Sequence, residues 1–387
     1  MSRPTPELRE VSTSYMLFEA KREERFITGS EALREAIRRS NIDMAISYPI
    51  TPQSESMHLV GDLYAEGYVK EYFRGENEFA VMSEIAGAAM AGVRTFTATC
   101  GPGTLRAFEN FPMWVGSRLP VVMAFMTRGI NAPLTIQPDT IEMGFLLDTG
   151  MIMLHAENAQ ELYDMLLMSF EVAEQTSVHI PIGVFVDGFF VTHTSQKVNV
   201  VVEDVKLKPY DPGLSPVAHI DMETPPFRLM RDPFVMKSNY VSYAAHASWQ
   251  QETMASAFRA KKHLKRFLGG FIEQENPDAP IQIVASGTAV AQAREAIKLM
   301  REEGTDVGLV KVKSIRPFPA EEIRAALANA EMIVVPEFNR TGWLCREVAS
   351  VIPNNDRIVL GPRVYGGMTM PPEIIVQVIK EQDFVGV

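Results

Sequence analysis

The stretch Tyr48-Pro49-Ile50-Thr51-Pro52 stands directly behind a short apolar segment, Asp43 to Ser47, and decides how the first half of the chain is read. Its prolines fix φ and remove backbone donors, so a strand arriving at Ser47 must end there in a stiff turn. On one side of it Glu31 to Ser40 reads as an amphipathic helix. On the other, Ser54 to Glu66 reads as a helix with apolar Met57, Val60, Leu63 and Tyr64. A strand between helices belongs to an open α/β sheet, where ligands bind in turns at the carboxyl ends of strands. A rigid turn holding the hydroxyl of Thr51 suits a site that must place a donor accurately. An ordinary proline-rich strand exit fits the same residues.

The alternation continues outward. Ser83-Glu84-Ile85-Ala86-Gly87-Ala88-Ala89-Met90-Ala91-Gly92 reads as a helix that opens on a carboxylate and runs on in very small residues. A strand, Thr95 to Thr99, follows, then a Cys100-Gly101-Pro102-Gly103 turn into a further helix, and a strand Leu119 to Thr127 that ends on Arg128. Met151 to His155, a helix Ala159 to Glu174 behind the cap residue Asn158, and a strand Ile182 to Val186 closing on Asp187-Gly188 complete the unit. Short apolar strands alternating with helices mean a mainly parallel sheet covered on both faces.

Val201 to Pro277 behaves differently. Prolines at 209, 212, 216, 225, 226 and 233 break any long element, after which Tyr243 to Phe267 reads as one long helix. From Ile281 the alternation returns, through strands Ile281 to Ser286, Val307 to Val312 and Met332 to Val335 and helices Ala289 to Glu303, Ala320 to Ala330 and Trp343 to Val351. The expected division is an N-terminal arm 1–25, an α/β domain 26–200, a connecting excursion 201–276 and a second α/β domain 277–387.

A chain of 387 residues can bury two substantial cores. Its net charge of −11 argues against a nucleic-acid partner. The apolar runs are of strand length and the charged N-terminus has no signal-peptide core, so no membrane insertion and a cytoplasmic location are expected. Cys100 and Cys345 are the two cysteines, and no Cys-x-x-Cys pair occurs, so the chain cannot carry an iron–sulfur cluster by itself.

The proline turn, the Ser83-Glu84 segment and the strand-end Arg128, in this order and near this spacing, resemble the α chain of the thiamine-diphosphate-dependent 2-oxoacid:ferredoxin oxidoreductases. The likeness runs from about Phe26 to the end of the chain and includes the Arg316-Pro317-Phe318-Pro319 turn. Val335-Pro336-Glu337-Phe338-Asn339-Arg340 departs from the family's usual strand exit. The resemblance implies an α/β fold of two doubly wound, mainly parallel domains: a pyrimidine-binding domain and a transketolase C-terminal-like domain. It implies coenzyme-A-dependent oxidative decarboxylation of a 2-oxoacid to acyl-CoA and carbon dioxide. Electrons would leave through iron–sulfur clusters on partner subunits to ferredoxin or another acceptor. Pyruvate or a branched 2-oxoacid is the expected substrate; an aromatic one such as phenylglyoxylate, with NAD as final acceptor, is the alternative. Half of a non-oxidative or lipoamide-coupled thiamine enzyme, and a non-catalytic scaffold chain, are competing readings.

Site roles follow from the same resemblance. A carboxyl that hydrogen-bonds N1′ of the cofactor's aminopyrimidine favours the tautomer able to remove the thiazolium C2 proton, and Glu84 is expected there. As a plain helix-start residue, Glu84 would contribute about 0.3–1 kcal/mol. Tyr48, Pro49 and Ile50 would line the cofactor. Arg128 would take the substrate carboxylate with its planar fork, assisted by Thr51; the alternatives are a strand-end surface arginine and a simple turn hydroxyl. The family's diphosphate and magnesium are held by a Gly-Asp-Gly stretch followed by an asparagine. The nearest stretch here, Gly61-Asp62-Leu63, lies in an expected helix. A β subunit would therefore hold the Mg²⁺ and complete the site, with further γ- and δ-type subunits.

Cys100-Gly101-Pro102-Gly103 lacks the Lys-Ser/Thr of a phosphate loop and reads as a structural turn. His155 and His193 lack a second ligand at metal spacing and read as satisfied core or surface residues, and Asp187-Gly188 as a structural turn. Past Arg128 the chain has Gln137-Pro138-Asp139-Thr140-Ile141-Glu142-Met143. Phe125, Met126, Met143, Phe145 and Leu146 would line a soft pocket or belong to the core.

Overall fold

Thr28 starts the first long helix with a reciprocal cap. Its hydroxyl accepts the Glu31 N–H at 3.2 Å, and the Glu31 carboxylate accepts the Thr28 N–H at 2.8 Å. In this computed structural model residues 12–13, 17–130, 134–214, 220–221, 228–229, 255–352, 357–359 and 361–382 are described. The first unit runs α1 (Gly29–Arg39), β1 (Met44–Ser47), α2 (Gln53–Ala65), β2 (Glu71–Arg74), α3 (Glu78–Met90), β3 (Thr95–Thr99), α4 (Gly101–Arg106), α5 (Asn110–Gly116), β4 (Val122–Thr127), α6 (Ile141–Leu146), β5 (Ile152–Ala156), α7 (Ala159–Ala173) and β6 (Ile182–Asp187). The second runs β7 (Ile272–Glu275), β8 (Ile281–Ala285), α8 (Ala289–Glu302), β9 (Val307–Val312), β10 (Ser314–Arg316), α9 (Ala320–Ala326), β11 (Met332–Val334), α10 (Trp343–Val351), β12 (Ile358–Val359) and α11 (Pro372–Glu381).

Strands β1 to β6 are mutually parallel in a seven-stranded sheet of order β10-β5-β6-β4-β3-β1-β2. Side chains alternate across it. Val122, Ala124 and Met126 of β4 join a core with Leu33, Met57 and Leu166 of α1, α2 and α7, whereas Met123 and Phe125 join one with Val81 and Trp114 of α3 and α5. Both faces are covered, as the apolar strands required. The second sheet, β7-β9-β8-β11-β12, is parallel except for β7. The chain is thus α/β, with two mainly parallel sheets.

The expected boundaries move. Arg22–Thr28 pairs antiparallel with Ser195–Val201 along its whole length, so the last residues assigned to the arm 1–25 belong to the first unit. The second sheet starts at β7, ahead of residue 277. Strand β10, in the second unit, pairs antiparallel with β5 and extends the first sheet, so the two units share a sheet edge. Of the long helix expected over 243–267, residues 255–268 are helical; the rest lies outside the described residues, as do prolines 216, 225, 226 and 233.

His155 and Asp187 tie the units together. His155 Nδ1 lies 2.9 Å from Ser286 Oγ and its Nε2 3.4 Å from Asp187 Oδ1, while Asp187 Oδ2 accepts the Thr288 N–H and hydroxyl at 2.8 and 2.6 Å. Asp187 is fully buried. Its carboxyl sits below the usual range: burial alone would raise it, but His155 and the Thr288 bonds outweigh that. His193, exposed, meets Glu55 at 2.9 Å. No described helix is long and apolar enough to cross a membrane.

Candidate active site

After β1 the chain crosses to β2 on one side; after β3 it crosses to β4 on the other. The carboxyl ends of β1 and β3 therefore flank the point where strand order reverses, the place where open α/β sheets bind ligands. The Tyr48–Pro52 turn and the Cys100–Gly103 turn stand at these two ends. The Cys100 thiol joins them, donating to the Thr51 carbonyl at 3.2 Å. Thr51 itself is exposed, Pro49 is exposed, and Tyr48 and Ile50 are half-buried. The Thr51-Pro52 peptide is cis.

Arg128, next along at the end of β4, reaches the same turn: its Nη1 donates to the Thr51 carbonyl at 2.8 Å and its Nε to the Gly129 carbonyl at 3.1 Å. It is buried to 5% exposure, so it is no surface arginine. With Nε committed, a substrate carboxylate would have to be taken by the terminal nitrogens. Gly101, at φ +44°, packs directly on this side chain; a Cβ there would fall 2.8 Å from Arg128 Cγ.

The two carboxylates of α3 stand in different settings. Helix α3 opens at Glu78 behind Asn77, whose side chain accepts the Ala80 N–H at 3.0 Å; it does not open at Ser83. Glu84 is exposed in the chain, about 9 Å further down the helix and about 120° round from Glu78. Its Oε2 folds back to within 3.5 Å of where a Gly75 Cβ would stand. Glu78 is 7% exposed and looks into the crevice: a Cβ on Gly103 would meet its Oε1 at 2.8 Å and Thr99 Oγ1 at 2.5 Å. Thr99 Oγ1 is buried without a hydrogen-bond partner. Sequence reasoning passed over Glu78, although Asn77 ahead of it carried the helix-start signal.

A buried carboxyl, a spare hydroxyl and a glycine floor fit one edge of a flat aminopyrimidine. Among the described residues no group of three or more His, Cys, Asp or Glu could hold a metal ion, and Gly61-Asp62-Leu63 lies inside α2. Of the soft-pocket candidates, Phe125, Met126, Met143 and Leu146 are fully buried core; Phe145 is half exposed.

Burial, with the negative charge of Glu142 second, drives the Cys100 thiol well above its ordinary range, against the pull of Arg128. Burial also pushes Cys345 up to about 12. Neither should alkylate in the native chain at mildly alkaline pH, because the thiolate is the nucleophile. Iodoacetamide labelling read by mass spectrometry should show both only after unfolding; native labelling of Cys100 would contradict the packed crevice.

The sequence matches the family described as pyruvate flavodoxin/ferredoxin oxidoreductase, thiamine diP-binding, over residues 35–259, and the pyruvate:ferredoxin oxidoreductase core domain II over 279–374. The chain belongs to the 2-oxoacid:ferredoxin oxidoreductase family, on its α-subunit side. Among these α subunits, pyruvate synthase subunit PorA of Methanothermobacter thermautotrophicus is 32% identical over 369 residues, covering 92% of this chain and 94% of that one. Ketoisovalerate oxidoreductase subunit VorA of Pyrococcus abyssi is 27% identical, covering 88% and 87%. Among solved structures, the 2-oxoglutarate:ferredoxin oxidoreductase of Magnetococcus marinus superposes with a TM-score of 0.74 at 20% identity, over 94% of this chain. This chain spans 65% of that longer one. A split-gene transketolase shares the fold at a TM-score of 0.52 and 16% identity. The family carries thiamine diphosphate, so this oxidoreductase subunit is part of a thiamine-dependent enzyme.

Proposed function

We propose that this oxidoreductase subunit supplies the aminopyrimidine side of a thiamine diphosphate site and the anchor for a 2-oxoacid carboxylate. The observation that carries this is the convergence of buried Glu78, the Thr51 turn and buried Arg128 on one crevice at the strand-order reversal. When bound, the cofactor supplies the carbanion chemistry of decarboxylation. Glu78, not the exposed Glu84, is the carboxyl that meets N1′. Tyr48, Pro49 and Ile50 form the rigid wall beside it. Arg128 holds the 2-oxoacid carboxylate, and the Thr51 hydroxyl donates to the substrate at the mouth of the turn.

A β subunit would bring the diphosphate and Mg²⁺ half of the site. Iron–sulfur clusters on further subunits would carry electrons to ferredoxin. Pyruvate or a branched-chain 2-oxoacid, oxidised to its acyl-CoA, is the favoured substrate, because relatives covering nearly the whole chain bear the names pyruvate synthase and ketoisovalerate oxidoreductase. Steady-state rates of the assembled complex on pyruvate, 2-oxoisovalerate, 2-oxoglutarate and phenylglyoxylate, with coenzyme A and a low-potential acceptor, test this. The expected result is the highest kcat/KM on pyruvate or 2-oxoisovalerate. Preference for either of the others removes the substrate assignment, and turnover of none removes the activity.

A further inference from the structure

Glu142 is fully buried, yet it belongs to none of the roles above. It stands in the first turn of α6, inside the stretch that follows Arg128. Its Oε1 accepts the backbone N–H of Arg128 at 3.1 Å, and its Oε2 accepts the hydroxyl of Thr104 on α4. The Gly101 N–H lies close enough to favour its charged form. One carboxylate thus gathers donors from the end of β4 and from α4, just past the Cys100–Gly103 turn. Those are the two pieces of backbone that place Arg128. Gly101 lies against the arginine's Cγ, and Arg128 Nη1 in turn holds the Thr51 carbonyl.

We infer that Glu142 is the positioning residue of the substrate end, fixing the Arg128 backbone and the Gly101 turn in one register. This rests on the reading of Arg128 as the carboxylate anchor. A carboxylate is needed because it can accept from both: the Arg128 N–H is an obligate donor, and the Thr104 hydroxyl donates to the other oxygen. A carboxamide or a protonated acid presents a donor of its own on one side, so it either leaves the buried Arg128 N–H unpaired or turns the Thr104 hydroxyl round.

The titratable groups facing Glu142 are Asp139 from the loop ahead of α6 and Cys100 ahead of α4; Arg128, at the end of β4, meets it through its backbone N–H. Burial dominates and raises the Glu142 carboxyl to about 7, opposed by the bonds from Thr104, Gly101 and Arg128. The form that accepts from both partners is therefore lost as pH falls through that value. Removing the Thr104 bond must move the transition upward.

The test is kcat and KM for the preferred 2-oxoacid against pH in the assembled complex, for wild type, Glu142→Gln, Thr104→Val and Arg128→Ala. Wild-type kcat/KM should fall below about pH 7 on the acid side, the usual signature of an essential base. Glu142→Gln should raise KM about tenfold or more with a smaller change in kcat, and should lose that acid limb. Thr104→Val should keep the limb and shift it to higher pH. A merely structural Glu142 would lower thermal stability and leave KM and the limb alone, and that result overturns the inference. So does a wild-type profile with no acid limb. If Glu142→Gln does not assemble, an unmoved limb in Thr104→Val overturns it alone. Arg128→Ala with unchanged KM sinks the anchor reading instead; raised KM in that variant beside normal KM in Glu142→Gln sinks only the role of Glu142.

Discussion

Glu78→Gln should slow proton exchange at the thiazolium C2 by ~10²-fold or more in the assembled enzyme, the scale of losing a positioned acid–base contact. Turnover should fall with it. The amide keeps the size of the side chain and can still meet N1′, but it cannot favour the tautomer that removes the proton. Folding should change little, because Glu78 sits at a helix start where its contribution to the macrodipole is about 0.3–1 kcal/mol. Glu84→Gln, made in parallel, should exchange and turn over nearly as wild type, since Glu84 is exposed on α3. The opposite pattern, with Glu84→Gln slow and Glu78→Gln normal, would return the activating role to Glu84 and require a partner subunit to bury it.

Arg128→Lys should act on substrate and spare the cofactor. Lysine keeps the charge but cannot hold the Thr51 and Gly129 carbonyls and a carboxylate at once from one nitrogen. KM for the 2-oxoacid should rise by the equivalent of about 1.5–3 kcal/mol, the worth of a hydrogen bond to a charged group. Arg128→Ala should be worse, because the Thr51 carbonyl also loses a donor. Exchange at C2, followed by deuterium loss without substrate, should stay within a few-fold in both variants. An alanine variant that abolishes exchange, or leaves KM unchanged, would make Arg128 a structural residue.

What was legible in the chain was what is local. Proline geometry ended β1 at Ser47, and short, wholly apolar segments alternating with helices specified a parallel sheet with its ligand edge at the strand ends. Arg128 could be named because a strand end fixes its place. The helix bearing the carboxylate was found, but its start was not. The run of alanines and glycines drew attention to Glu84, while the cap geometry of Asn77, which sets the true first turn, has its proof in a bond to Ala80 that only coordinates show.

Non-local pairings were out of reach. The strand Arg22–Thr28 is heavily charged and pairs with Ser195–Val201, at the far end of the first unit. Nothing within either segment specifies that register. Strand β10 reads as part of a turn until its neighbour β5 is seen. Burial of ionisable groups was equally hidden: Glu142 and Asp187 stand among apolar neighbours in the sequence, and only packing shows them fully enclosed and matched to donors.

The most direct test of the split site is calorimetric titration of thiamine diphosphate with Mg²⁺, first into the purified chain alone and then into the chain with its β partner. The lone chain offers a carboxyl and a glycine floor for one ring, with no group of three acidic, histidine or cysteine side chains for a metal among its described residues. It should therefore bind feebly, and it should show no iron–sulfur absorbance. The assembled pair should bind stoichiometrically. Tight, stoichiometric, Mg²⁺-dependent binding by the chain alone would contradict the division of the site between subunits.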